Sequence, residues 1–248
     1  MKIVACYSNK GGVGKTDTSV NIAYASAMSG KKTLLCDLDP QGASGFYFRV
    51  KPSRNLKKQA FFEDVDCFTR AIRESDFENL DLLPANMSYR DFDIFLSRMK
   101  NRRSRLKKAL KAAGTEYDVI ILDCPPNISL LSENVFKVAD KIVVPVIPTT
   151  LSERTLEQLH DFFSDKKYQK KKLLPFFSMV QKNKKLHKGT MIKLEKKYSN
   201  FLAQSIPFST DIEKMGIHRA PVLTYAGSCP AAKAYEDVWR ALQDKVKF

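Results

Sequence analysis

The stretch Lys10-Gly11-Gly12-Val13-Gly14-Lys15-Thr16 constrains the fold more than any other part of the chain. An apolar run of strand length, Lys2-Ile3-Val4-Ala5-Cys6-Tyr7-Ser8, leads into it. Ser19-Val20-Asn21-Ile22-Ala23-Tyr24-Ala25 follows with the composition of a helix. A strand, a glycine-rich turn and a helix start are the context in which such a turn holds phosphate. Glycines let successive backbone N–H groups point into one concavity, and the helix N-terminus adds partial positive charge. On this reading Gly11, Gly12, Val13 and Gly14 cradle phosphates. Lys15 reaches the β- and γ-phosphates, and the Thr16 hydroxyl ligates Mg²⁺.

Two more apolar runs end in acid. Thr33-Leu34-Leu35-Cys36 leads to Asp37-Leu38-Asp39-Pro40-Gln41-Gly42, and Val119-Ile120-Ile121-Leu122 leads to Asp123-Cys124-Pro125-Pro126. Continuous apolar strands are those of a parallel sheet covered on both faces, and their C-terminal ends form its ligand crevice. Asp123 reads as an Mg²⁺ holder through water, as a Walker B acid does, and Asp37 delivers a further carboxylate to the same crevice. Strands are also predicted over 80–85, 141–146, 173–180 and 204–207, with helices over 129–139, 151–163 and 231–246. Apolar residues from Phe92 to Ala113 recur at three- and four-residue spacing, which predicts one long helix with Gly114 as its stop. Residues 49–79 read as a helix-and-loop insertion. The expectation is an α/β fold: a doubly wound, mostly parallel sheet flanked by helices on both faces. Without a repeat or a Gly/Ser-rich linker, residues 1–248 read as one domain.

Charge narrows the partners. Lys and Arg number 42 against 27 Asp and Glu, a net charge of +15, which favours polyanions: nucleic acid or an anionic membrane surface. The basic residues concentrate at 98–111, 166–172 and 182–197. Aromatics are sparse in the last two stretches, so stacking on single strands is not the natural reading, whereas duplex phosphates are. A purely solvated lysine surface stays open as the other reading. The five cysteines lack metal-ligand or disulfide-framework spacing. No secretory signal is visible, and no apolar run approaches the roughly 18–20 residues that span a bilayer. A cytoplasmic protein is expected.

Lys10 is a second lysine that an ordinary P-loop does not need. Lys10 to Thr16 resembles the deviant Walker A motif of the ParA/MinD family of ATPases. Asp37 to Gly42 resembles that family's switch I, Asp123 to Pro126 its switch II, and the run around 139–148 also matches. The resemblance implies ATP and Mg²⁺ as cofactors and a homodimer formed on ATP binding, in which Lys10 touches the partner subunit's nucleotide. Asp37 would act through Mg²⁺-bound water, Asp39 would position the attacking water, and Pro207 would lie beside the adenine. The ParA branch binds double-stranded nucleoid DNA non-specifically through basic residues of its C-terminal half. A ParB-like or other adaptor stimulates slow hydrolysis there, and a plasmid, chromosome or protein assembly is positioned.

The MinD-like alternative cycles on membranes through an amphipathic last helix. Here the polar face of 231–246 mixes acids with bases, so packing onto the sheet is expected and membrane binding is not. A nucleotide-dependent scaffold with weak turnover is a further alternative. Asp17 departs from the pattern, because the family has a small or hydroxyl residue there, near the α-phosphate. A carboxylate suits the helix dipole of the empty protein but repels a triphosphate, which puts nucleotide affinity in question.

Overall fold

A computed structural model describes residues 1–113 and 116–246, with Ala112 described for its backbone only. Eight strands form one sheet: β1 (Lys2–Cys6), β2 (Thr33–Asp37), β3 (Arg73–Glu74), β4 (Leu80–Leu83), β5 (Val119–Asp123), β6 (Lys141–Val146), β7 (Leu173–Val180) and β8 (Ser205–Pro207). Their order is β3-β4-β2-β5-β1-β6-β7-β8, and every pairing is parallel except the edge pair β3–β4.

The helices are α1 (Lys15–Met28), α2 (Ala43–Tyr47), α3 (Lys58–Glu63), α4 (Val65–Arg70), α5 (Phe92–Ser97), α6 (Arg105–Ala113), α7 (Leu130–Val138), α8 (Thr150–Asp165) and α9 (Lys185–Lys197). They continue with α10 (Thr210–Glu213), α11 (Met215–His218), α12 (Val222–Tyr225) and α13 (Pro230–Val246). Strand alternation sorts them into two layers. Ile3, Ala5, Ile120 and Leu122 enter one core with α3 to α9, whereas Val4, Cys6, Val119 and Ile121 enter the other with α1 and α13. Burial on both faces explains why these strands read as unbroken apolar runs.

Three sequence expectations meet the structure differently. The last helix packs as expected, with Tyr235, Val238, Trp239, Leu242 and Val246 all buried. The long helix over 92–113 is corrected: it is two helices, α5 and α6, separated by 98–104, where Asn101 takes a left-handed φ of 55°. Phe92 and Leu96, then Leu106, Ala109 and Leu110, still bury against one core. The expected stop at Gly114 lies outside the described residues. The 49–79 stretch holds α3, α4 and the antiparallel edge strand β3.

Register places the crevice. Cys6 sits opposite Asp123, and Asp37 sits opposite Asp123, so the P-loop and both strand-end acids leave the sheet at one edge.

Candidate active site

The loop between β1 and α1 is held by its glycines. Gly12 and Gly14 adopt φ of 68° and 85°, the left-handed region that glycine enters without a Cβ penalty. Gly14 caps α1, and both the amide and the hydroxyl of Thr18 donate to its carbonyl oxygen, at 3.0 and 2.6 Å. Nothing lies within 4 Å of where side chains at Gly11 or Gly12 would begin, so the concavity is open. Val13 is buried beneath it. Lys15, only 7% exposed, folds back so that Nζ donates to Lys10 O at 3.1 Å. Lys10 behaves differently: its Nζ turns to α8 and donates to Ser152 Oγ at 3.0 Å. One loop thus aims its two lysines at different places.

Asp37 and Asp123 stand side by side, each about 1% exposed. Hydroxyls converge on Asp123: Ser19 Oγ donates at 3.1 Å, Ser44 Oγ at 2.8 Å, and the Thr16 hydroxyl also reaches it. Asp37 accepts the backbone N–H groups of Asp39 and Ser44 at 3.0 and 3.1 Å. Burial lifts the Asp123 carboxyl to about 6 against these hydroxyl bonds. Burial, followed by the charge of Asp123, holds Asp37 well above the usual carboxylate range. Two adjacent buried carboxylates, one of them bonded by the Ser19 and Ser44 hydroxyls, fit a hard cation. Mg²⁺ is commonly held by one or two carboxylates, with water and substrate phosphates completing its shell. Among the described residues no cluster of three or more His, Cys, Asp or Glu is placed to hold a metal alone. Asp39, half-buried on the same turn, accepts the Gln41 N–H at 3.0 Å.

Beyond Gly14 lies a cavity of about 200 Å³ whose lining includes Gly14, Asp17, Tyr47, Met179, Pro207 and Phe208. Pro207, at the end of β8, therefore shares a cavity with the P-loop. Asp17 turns into the same space: Tyr47 Oη donates to its Oδ1 at 3.1 Å. Burial raises the Asp17 carboxyl, and the Tyr47 bond opposes that shift.

The structure brings Lys15, Thr16, Asp37, Asp39 and Asp123 to one crevice, sets Asp17 and Pro207 at its flank, and turns Lys10 to α8. Sequence reasoning missed Ser19, Ser44, Tyr47 and Ser152. Ser44, two residues past the Asp37–Gly42 turn, had a signal: a hydroxyl opening the next helix. Tyr47 and Ser152 had none, since only the tertiary fold brings them to the loop.

A parallel sheet, a glycine-capped phosphate loop and paired strand-end acids define a P-loop nucleotide-binding protein. A family model described as an AAA domain matches residues 1–176. The chain belongs to the ParA/MinD family of P-loop ATPases. It is 40% identical over 147 residues to the sporulation initiation inhibitor protein Soj of Bacillus subtilis, a match spanning 58% of this chain and 58% of that protein. To the chromosome-partitioning ATPase Soj of Treponema pallidum it is 26% identical, over 97% of this chain and 96% of that one. Cobyrinic acid a,c-diamide synthase of Mycobacterium smegmatis, solved with bound ADP and magnesium, superposes with a TM-score of 0.81 at 26% identity, covering 100% of this chain and 96% of the other. Among the described residues no helix is long and apolar enough to cross a membrane.

Proposed function

We propose that the chain is a partition-type ATPase that closes into a dimer around ATP, holds duplex DNA non-specifically and releases it on hydrolysis, so positioning a plasmid, chromosome or protein assembly. The observation that carries this reading is the divergence of the two loop lysines. Lys15 is folded into its own loop, whereas Lys10 Nζ rests on a single hydroxyl of α8, a partner readily exchanged for phosphate. A lysine left over by its own phosphate cradle is free to serve a partner's nucleotide. The Soj relatives named above supply the partition context, and the synthase that binds ADP and magnesium supplies a nucleotide and metal precedent.

In this reading the N–H groups of 11–14 and the Lys15 ammonium cradle the phosphates. Thr16, Asp37 and Asp123 would hold Mg²⁺, and Asp39 would accept a hydrogen bond from the attacking water and orient it. Bound Mg²⁺ supplies neutralising charge for the phosphate oxygens. Lys10, brought by the partner subunit, adds a preorganised positive charge where negative charge develops. Pro207 borders the base, and a ParB-like or other adaptor stimulates a slow turnover. Burial of the apolar face of α13 speaks against a membrane cycle. The carboxylate of Asp17, facing the nucleotide side of the loop, favours weak affinity and keeps a scaffold with little turnover as the second reading.

The test is molecular mass by light scattering, with and without ATP and Mg²⁺, alongside duplex-DNA cosedimentation at low salt. Mass should double with ATP. Lys10→Ala should keep nucleotide binding and lose the dimer. A wild-type protein that binds ATP yet stays monomeric and off DNA would end this reading.

A further inference from the structure

Basic runs far apart in sequence meet at the end of the sheet where β6 and β7 begin, opposite the P-loop. Lys172 Nζ donates to the carbonyl oxygens of Phe136 and Lys137, both at 3.2 Å, at the C-terminal end of α7. Lys141 Nζ donates to Lys171 O at 3.1 Å. Arg103 Nε and Tyr168 Oη both donate to Glu133 Oε2 at 2.9 Å. These bonds lock the 97–104 segment, the end of α7 and the 166–172 segment together.

Between 97–104 and α7 lies a cleft of about 390 Å³, lined by Ser97, Asn101, Arg102, Arg103, Ser104 and Lys137 around Met99. The lining carries hydroxyl, amide, guanidinium and ammonium donors and no carboxylate. Hydroxyls, amides and cations are the groups that contact a nucleic-acid backbone. On the far side of 170–172 a second cleft, of about 680 Å³, joins Lys170 and Lys171 to Lys197 at the end of α9, with Glu157 and Asp161 on its wall. Cations thus line one cleft at Arg102 and Lys137 and the other at Lys171, Lys170 and Lys197, and the bond from Lys172 to Lys137 O joins the two into one track.

The track is better supplied with free charge at its α7 end than on α9. Lys193 pairs with Glu153 of α8 at 2.6 Å, and Lys197 pairs with Glu157. Among the described residues, no carboxylate lies within ion-pair distance of the exposed Arg102, Lys137 or Lys171. Burial lowers the Lys141 ammonium, and the neighbouring Lys245 and Lys171 lower it further, with Asp140 opposing. Asp140 also accepts the Ile3 N–H at 2.8 Å.

We infer that this track is a duplex-DNA surface, and that the cleft between 97–104 and Lys137 seats a backbone phosphate. The inference rests on the DNA-binding reading above and extends it from the C-terminal lysines into the first half of the chain. A membrane fits less well: the apolar stripe of α6, Leu106, Ala109 and Leu110, is buried in the core and unavailable to lipid.

The test is fluorescence anisotropy of ATP-loaded protein on a short random-sequence duplex from 50 to 200 mM salt. One variant carries Arg102→Ala, Lys137→Ala and Lys171→Ala; a second carries Lys185→Ala, Lys188→Ala and Lys196→Ala on α9. The first should lose about 10- to 100-fold in affinity and reduce the salt slope by about 2–3, with ATP-driven dimerisation unchanged. Lys137→Arg with Lys171→Arg should keep affinity, which separates charge from folding. Wild-type affinity in the first variant, with loss only in the second, overturns the inference and leaves the DNA-binding function standing. No duplex binding by the wild-type protein removes both. Capture by phosphatidylserine vesicles instead of duplex, lost in the first variant, reassigns the track to membrane and overturns it as well.

Discussion

Asp123 shows how a single buried group sets the needs of the site. Its folded carboxyl titrates at about 6, above the 3.8 of an ordinary aspartate. The folded state therefore keeps that proton to higher pH than the unfolded chain does. Its contribution to stability is complete below about pH 4 and is lost as pH rises through about 6. Above that, Asp123 is a buried charge beside Asp37, whose own carboxyl is held high by burial and by the Asp123 charge, and the pair fits a cation. In the absence of metal and nucleotide, Asp123→Asn should raise stability at pH 8 by about 1–2 kcal/mol, with little gain at pH 4. Thermal melts at the two pH values check this; a variant destabilised at both would mean that the hydroxyl bonds outweigh the charge. Asp17 lends itself to a second substitution. Removing its charge beside the phosphate loop with Asp17→Thr should tighten ADP and ATP binding about tenfold, roughly 1.4 kcal/mol, by titration calorimetry. Unchanged affinity would mean that the Tyr47 bond already holds the carboxylate away from the nucleotide.

The elements differ in how much of themselves they disclose in sequence. β1, β2, β5, β6 and β7 were legible because burial on both faces forces unbroken apolar runs, and two of them end in the acids of the site. The break between α5 and α6 was not. Met99 and Leu106 are seven residues apart, close to two helical turns, so the apolar spacing continues across a segment that is not helical. No proline or glycine marks the break, only Asn101 in a left-handed conformation. The P-loop, Asp37 and Asp123 could be read as a set because they are consecutive or end strands. Ser44, Tyr47 and Ser152 could not, because their roles depend on how α2 and α8 dock. Docking also sets the behaviour of His160 on α8. It stacks on Tyr198 with centroids 4.3 Å apart, and its Nε2 is buried without a hydrogen-bond partner. Burial lowers its imidazole to about 4, below the ordinary 6.5, so the folded protein resists protonating it. Stability from this residue is whole above about pH 6.5 and is lost as pH falls toward 4. His160→Phe, which keeps the stack, should flatten that acid-side decline by about 1 kcal/mol, allowing for partial solvent screening. An unchanged pH profile would assign the decline to other groups.

At the scale of the whole molecule the dominant fact is unbalanced charge. A net +15 on 248 residues is self-repulsion that folding intensifies, because compaction brings like charges closer. The ion pairs present are too weak to offset it. Most join at least one well-exposed side chain, such as Arg49–Asp76 and Arg240–Asp237, and exposed pairs contribute about 0–1 kcal/mol each. Screening should therefore help the folded state more than it harms these pairs. Between about 20 and 300 mM NaCl the Debye length shrinks from roughly 20 Å to below 10 Å, which screens repulsion between exposed charges. The melting temperature in the absence of nucleotide should then rise by a few degrees over that range. Multivalent anions should raise it further at equal ionic strength, because they bind the folded cationic surface in preference to the open chain. A melting temperature that fell with salt would mean that the pairs of α8 and α9, Glu153–Lys193 and Glu157–Lys197, contribute more than the repulsion removes. In that case the lysines of α9 would serve to hold the fold together, and the excess charge available for a polyanion would lie on the α7 side of the track.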